Sequence, residues 1–263
     1  MAMIRTHRST APGVSASCGR VVGISARVVA ALWLQAAALF GQEPGVHYLH
    51  QGVMPPGAIG SRQLQRGGPL PGYLQPVEIK APPGALVSLA AEGRFEPAEP
   101  TPQVVGMLIG AVYRLKVTHI VGAEGMEVFP TVEVIDRTYP PRGQELHFPI
   151  PLQLTLEELR MALAGQFVTR VIYLEHPRNA LPAREDPEEH RWFDAGPRRD
   201  PLAVADTLGR PVAILRMGGR LPDDPQEVND QFLFGSPPLV RFPPPRQPPP
   251  ALPDLPPPAE ELD

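Results

Sequence analysis

Proline placement constrains this chain more than any other feature. Of the 27 residues from Pro237 to Asp263, twelve are proline, and they include three triplets. A pyrrolidine ring locks φ and removes the amide donor, which excludes proline from helix interiors and from the middle of a sheet. The tail therefore predicts an extended polyproline II or disordered segment without a packed core of its own. Across the whole chain, 37 prolines and 24 glycines in 263 residues imply short elements joined by frequent turns.

The first 41 residues carry Arg5, Arg8, Arg20 and Arg27 and no acidic residue, and they end in the apolar run from Val28 to Phe40. That order is the order of an export signal: a basic stretch, an apolar stretch too short for an ordinary spanning helix, then small residues. Ala36 and Ala38 supply an A-x-A-like cleavage site, and Gly41 a second possibility. The alternatives are an uncleaved anchor in the inner membrane, which the long basic stretch favours, or a buried core helix. Cys18, the single cysteine, precedes the apolar run, which argues against a lipid anchor. Cleavage would leave no cysteine at all, so stability must come from a hydrophobic core rather than from disulfides.

Without the four leader arginines the chain holds 20 basic against 28 acidic residues, including just two lysines, Lys80 and Lys116. Nucleic acid is an unsuitable partner for such a surface, because polyanion binding depends on clustered Lys and Arg.

Residues 42–76 are too rich in Gly and Pro for any apolar period and read as a linker. From 77 onward strands alternate with turns: VEIK, a Pro-Pro-Gly turn at 82–84, ALVSLA, a polar loop at 92–103, then a hairpin pairing 112–121 with 128–136. In its first strand Tyr113, Leu115 and Val117 alternate with Arg114, Lys116 and Thr118, the pattern of one buried and one wet face. Pro130 predicts that the second strand is at an edge or carries a bulge. Thr155 and Glu158 form a capping box ahead of a short helix stopped by Gly165, and the strand QFVTRVIYLE follows. A second short helix starts at Asp200 with Pro201 at its first position and stops at Gly209, before the strand PVAILRMG.

The expected organisation is thus a signal peptide at 1–41, a linker at 42–76, a globular domain at 77–220 and a proline-rich tail at 221–263. The fold expected is α+β and β-rich: an antiparallel β-sandwich-like core with two short helices and proline-rich disordered flanks.

Five stretches, RGGPLPGYLQPVEIKAPPGALVSLA, VYRLKVTHI, EVFPTVEVIDRTYPP, QFVTRVIYLEHP and DPLAVADTLGRPVAILRMGGR, together resemble a group of exported bacterial proteins without an established activity. The likeness covers roughly residues 66–222. It implies an envelope context and carries over no catalytic residue or ligand.

Few groups suggest chemistry. Glu185, Asp186, Glu188, Glu189 and His190 place hard oxygen ligands at close spacing and are candidates for a divalent cation, although Pro187 interrupts them and a solvated acidic loop is the plain alternative. His47 and His50 have a metal-like spacing in a segment that does not read as helix, without a third ligand. Trp192 and Phe193 are candidates for partner or sugar binding on a charged loop, or simply plug that loop onto the domain. Ser61, Ser88 and Ser236 are the only serines beyond the leader, and none lies in a G-x-S-x-G elbow. Glu133 with Asp136 or Glu175 is a conceivable hydrolytic carboxylate pair, with strand-borne acids facing water as the default. His119 and His147 read as packed or hydrogen-bonded histidines.

These features predict a non-enzymatic envelope or secreted protein, periplasmic or released, with a structural or protein-interaction role and no cofactor. Its expected partner is another envelope protein or a polysaccharide, and a membrane enters only through an uncleaved signal segment. The alternatives are a cation- or small-ligand-binding module on the 176–199 loop, and a hydrolase using an unrecognised carboxylate pair.

Overall fold

The computed structural model of the protein describes residues 2–8, 55–178, 180, 192–196, 199–218, 221–222, 224 and 228–243, with the backbone alone for 2–8, 192 and 193. The fold is α+β and strand-rich, built on two largely antiparallel sheets.

The larger sheet contains β1 (Ala2–Arg8), β3 (Leu86–Ala91), β4 (Arg94–Phe95), β5 (Glu99–Pro100), β7 (Val112–Thr118), β8 (Thr131–Val134), β10 (Phe167–Glu175), β11 (Trp192–Asp194) and β12 (Gly209–Met217). Its order is β11-β1-β10-β12-β8-β7-β3-β4, with β5 also on β3. The smaller sheet has β2 (Leu74–Lys80), β6 (Gln103–Leu108), β9 (Ile150–Gln153) and β13 (Leu239–Phe242), in the order β13-β6-β2-β9. Two neighbours run parallel, β1 with β11 and β2 with β9.

The principal core lies between the sheets. Val77, Ile79, Val105, Met107, Ile150 and Leu152 from the smaller sheet join Leu115, Val132, Val134, Val168, Ile172 and Leu215 from the larger one in a single apolar cluster. This is the sandwich-like arrangement expected, and it suits strands whose alternate side chains point to opposite faces. Burying each such aliphatic side chain stabilises by roughly 1.5–3 kcal/mol, a source of stability that needs no disulfide.

Both short helices expected from their caps are present. In α2 (Leu156–Leu163) the Thr155 hydroxyl accepts from the Glu158 N–H while Glu158 reaches back to Thr155, completing the capping box. In α3 (Pro201–Leu208) the Asp200 carboxylate accepts from the Leu202 N–H at 3.0 Å. A third helix, α1 (Ala58–Gln65), occupies part of the stretch read as linker.

The ordered fold extends past the expected limits of 77–220 at both ends. α1 and the start of β2 fall within 42–76, and β13 falls within 221–263, where it pairs antiparallel with β6. Four residues, Leu239–Phe242, escape the surrounding prolines and can donate to a ladder. β1 falls within the segment read as a signal peptide and pairs antiparallel with β10 over seven residues. The loop expected at 92–103 contains β4 and β5. Pro130 does not mark an edge: β8 is flanked by β12 and β7, and the proline sits one residue before the strand, where its carbonyl accepts from the Leu115 N–H at 2.9 Å. The apolar run 28–40 and the tail from 244 onward lie outside the described residues, and no described helix is long and apolar enough to cross a membrane.

Candidate functional site

The outer face of the larger sheet, read as wet, is covered in its central part. Arg114 and Glu133 are buried there, at 8% and 0% exposure. Glu133 serves as the missing cap of α1: the helix begins after Gly57 without a side-chain cap, and Glu133 Oε1 accepts from the N–H groups of Ile59 and Gly60 at 3.1 and 2.9 Å. Its other oxygen accepts from Arg216 at 2.8 Å. A carboxylate at a helix N-terminus is favoured by the orphan amides and the dipole, and the guanidinium completes its neutralisation. Arg114 donates to the carbonyls of Phe232 and Phe129 at 3.1 and 3.0 Å, and its Cζ lies over the Phe232 and Phe234 rings, 4.5 and 4.8 Å from their centroids. On the inner face, Arg170 binds both oxygens of Glu158 and the carbonyl of Gln153. These buried charges are engaged in holding elements together, and Glu133 has both oxygens occupied and no exposed surface.

A different arrangement lies at the surface, where the chain leaves β8. The N–H groups of Ile135 and Asp136 both donate to the Val212 carbonyl, and after Pro140 the chain turns, with the Pro141 carbonyl accepting from the Gln144 N–H at 3.0 Å. Here the Arg137 guanidinium carbon lies over the rings of both Tyr73 and Tyr139, 4.6 and 4.4 Å from their centroids. Arg210 lies over Tyr139 at 4.7 Å, ion-paired to Asp136 and donating to the Arg137 carbonyl at 3.1 Å.

The loop is held from below by a buried amide. Gln75, with no exposed surface, accepts from the Thr138 N–H at 3.0 Å and donates to the Thr138 hydroxyl at 3.3 Å. The Thr138 hydroxyl in turn donates to the Phe148 carbonyl at 2.9 Å, drawing the far end of the loop alongside. Tyr139 has φ +54°, a left-handed conformation that costs a bulky residue on the order of 1–3 kcal/mol. Tyr139 is nevertheless 53% exposed, with Phe148 at 48% and Leu146 at 40%. Nearby, the Glu145 carboxyl is held below its usual range by its own backbone N–H and that of Gly143, and then by Arg137 and Arg142.

The residues singled out from sequence fare differently. Glu185, Asp186, Glu188, Glu189 and His190 lie outside the described residues, as do His47 and His50. Trp192 and Phe193 belong to β11 rather than to a loop, and their side chains are outside the description. Glu133 does not face water, and Asp136 is buried and paired with Arg210. His119 is exposed and shares a 3.0 Å hydrogen bond with Thr118. His147 is also exposed and closes a 3-10 turn (Glu145–His147). Among the described residues no three His, Cys, Asp or Glu side chains are grouped to hold a metal ion.

Sequence reasoning missed the Arg137 patch. Its signal was present in RTYPPR, two arginines and an aromatic on a proline-stiffened segment, followed closely by Phe148. Tyr73 and Gln75, which complete it, lie more than sixty residues upstream, so no local pattern joins them.

Compared with known proteins, the chain matches no family model, no curated protein and no solved structure.

Proposed function

We propose that this chain is an exported, non-enzymatic interaction protein of the cell envelope or the secreted fraction. Its docking face for another envelope protein is the surface built from Tyr73, Arg137, Tyr139, Leu146 and Phe148. The proline-rich stretch after Pro243 serves as spacer or docking strand. The observation that supports this reading most directly is the exposure of Tyr139, Leu146 and Phe148 on one loop beside a ring-stacked arginine. Aromatics and arginine dominate binding hot spots, and a loop anchored by buried Gln75 loses little freedom on docking.

A photo-crosslinking residue placed at Tyr139 or at Phe148 in the native host tests the docking face, with one at exposed Val121 as control. The expected result is the same discrete adduct from 139 and 148 and none from 121. Equal adducts from all three positions, or none from 139 and 148, would remove the docking face. Fractionation with N-terminal sequencing tests export: a mature start near residue 39 or 42 outside the cytoplasm is expected, and an intact Met1 in the cytosol would refute it.

A further inference from the structure

We infer that Arg137 is the seat for a carboxylate carried by an acidic segment of a protein partner, with Leu146 and Phe148 receiving the apolar residue beside that carboxylate. The inference rests on the docking face proposed above and names the chemistry that the face selects.

Arg114, Arg170 and Arg216 are buried and engaged by carbonyls or carboxylates, and half-buried Arg210 is paired with Asp136. Among the described residues, Arg137 is the one arginine that is not fully exposed and whose guanidinium makes no hydrogen bond or ion pair. Its Nε is shut off from solvent and has no partner. Its Cζ lies over two tyrosine rings, whose attraction for a cation needs none of the guanidinium's N–H groups and leaves them to a ligand. A guanidinium edge is complementary to the two oxygens of a carboxylate, and the contact with two rings orients it before the ligand arrives.

The local field agrees. Arg137, Arg142 and Arg210 face two carboxylates, Asp136 and Glu145. Asp136 is held by Arg210, and Glu145 Oε1 accepts from the Gly143 N–H at 3.1 Å. The net surplus is one positive charge, which suits a single carboxylate better than a phosphate-rich polyanion, whose binding calls for several clustered bases. The exposed Phe148 and Leu146 favour a peptide over a sugar acid, because a peptide can present an apolar side chain next to its acid.

The test uses the full chain with its arginine side-chain N–H groups observed by NMR. The probe is the capped tripeptide acetyl-Leu-Glu-Leu-amide, compared with its Gln counterpart and with glucuronate. The expected result is a saturable shift of the Arg137 guanidinium N–H groups with the Glu peptide, and binding about tenfold weaker or worse with the Gln peptide. Arg137→Lys keeps the charge and loses the planar fork, so it should weaken the Glu peptide by a similar factor at an unchanged melting temperature. Equal binding of the Glu and Gln peptides, or an undiminished Arg137→Lys variant, would overturn the inference. Glucuronate binding as tightly as the peptide would overturn the peptide in favour of a polysaccharide. Crosslinks at 139 and 148 that persist in Arg137→Lys would leave the docking face standing and remove the carboxylate seat alone.

Discussion

Glu133 on β8 and Arg216 on β12 meet at 2.8 Å with 0% and 6% of their side chains exposed, and the same carboxylate caps α1 through Ile59 and Gly60. One buried group thus joins two strands and a helix distant from one another in sequence. Removing one partner of a buried ion pair leaves an uncompensated charge, which costs about 3–5 kcal/mol. Glu133→Gln is expected to lower stability by about that amount in urea unfolding, with an unchanged m-value. The double variant Glu133→Met with Arg216→Met should recover most of the loss, because well-packed apolar replacement of a buried pair is often neutral. A double variant no more stable than Glu133→Gln would show that capping α1, not the ion pair, is the main contribution.

Tyr113 gives the fold a pH-dependent limit. Its hydroxyl accepts from the Leu108 N–H and donates to the Pro238 carbonyl, both at 2.8 Å. Burial pushes the phenol up to about 12 from 10.0, with the Leu108 hydrogen bond opposing. The folded state therefore holds its proton over a range in which the unfolded chain has released it. The stabilisation is complete below pH 10.0 and is lost as pH rises from there toward about 12, a change of up to about 2 kcal/mol. Urea midpoints between pH 9 and 11.5 should fall more steeply in the native chain than in Tyr113→Phe; parallel curves would deny the phenol this role.

How much of this was legible in the sequence depended on whether the cause was local. Thr155 and Glu158 announce α2 because a capping box is complete within four residues. The second role of Glu158, binding Arg170 on β10, has no local signature. In β7 the alternation of Tyr113 and Leu115 with Arg114 placed the strand correctly, but an alternating strand looks the same whether its polar face meets water or a covering segment. Here Phe232 and Leu233 cover it, so Arg114 is buried. Among the candidate sites, the acidic and aromatic clusters were visible as composition, whereas the Arg137 seat depends on Gln75 of β2 and on Tyr73 just before that strand.

The carboxy-terminal stretch takes part in the fold up to Phe242. There, β13 pairs with β6, Arg241 binds Glu96, Glu99 and Gln103, and Pro238 accepts from Tyr113. Nine of the 20 residues from 244 onward are proline, which suits neither a helix interior nor a central strand, so deleting 244–263 is expected to leave stability within about 0.5 kcal/mol of the full chain. Deleting 237–263 removes a strand and the acceptor of a buried hydroxyl, and should cost about 2 kcal/mol or more. Any search for a docking role of the prolines should use the shorter deletion, since the longer one confuses lost binding with lost fold. Equal stabilities of the two deletions in urea would show that β13 contributes little.

β1 and the export reading make opposite demands on residues 2–8. As the basic start of a signal segment, with Arg5 and Arg8, this stretch stays on the cytoplasmic side while the domain crosses. As β1 it lies between β10 and β11, with Ile4 opposite Val171 and Phe193. One molecule cannot satisfy both at once, so a cleaved, exported chain must leave the edge of β10 open over the seven positions that β1 covers. An open edge carrying Val168, Val171 and Ile172 is a template for another strand, and a second β10 related by a two-fold axis would meet it antiparallel. The chain beginning at residue 42 is therefore expected to unfold at lower urea concentration than the chain beginning at Met1, and to elute as a dimer or larger species where the longer chain is monomeric. Adding a synthetic peptide of residues 1–9 should restore the monomer. If the shorter chain is monomeric and equally stable, β1 contributes nothing to the fold and export requires no compensation at this edge.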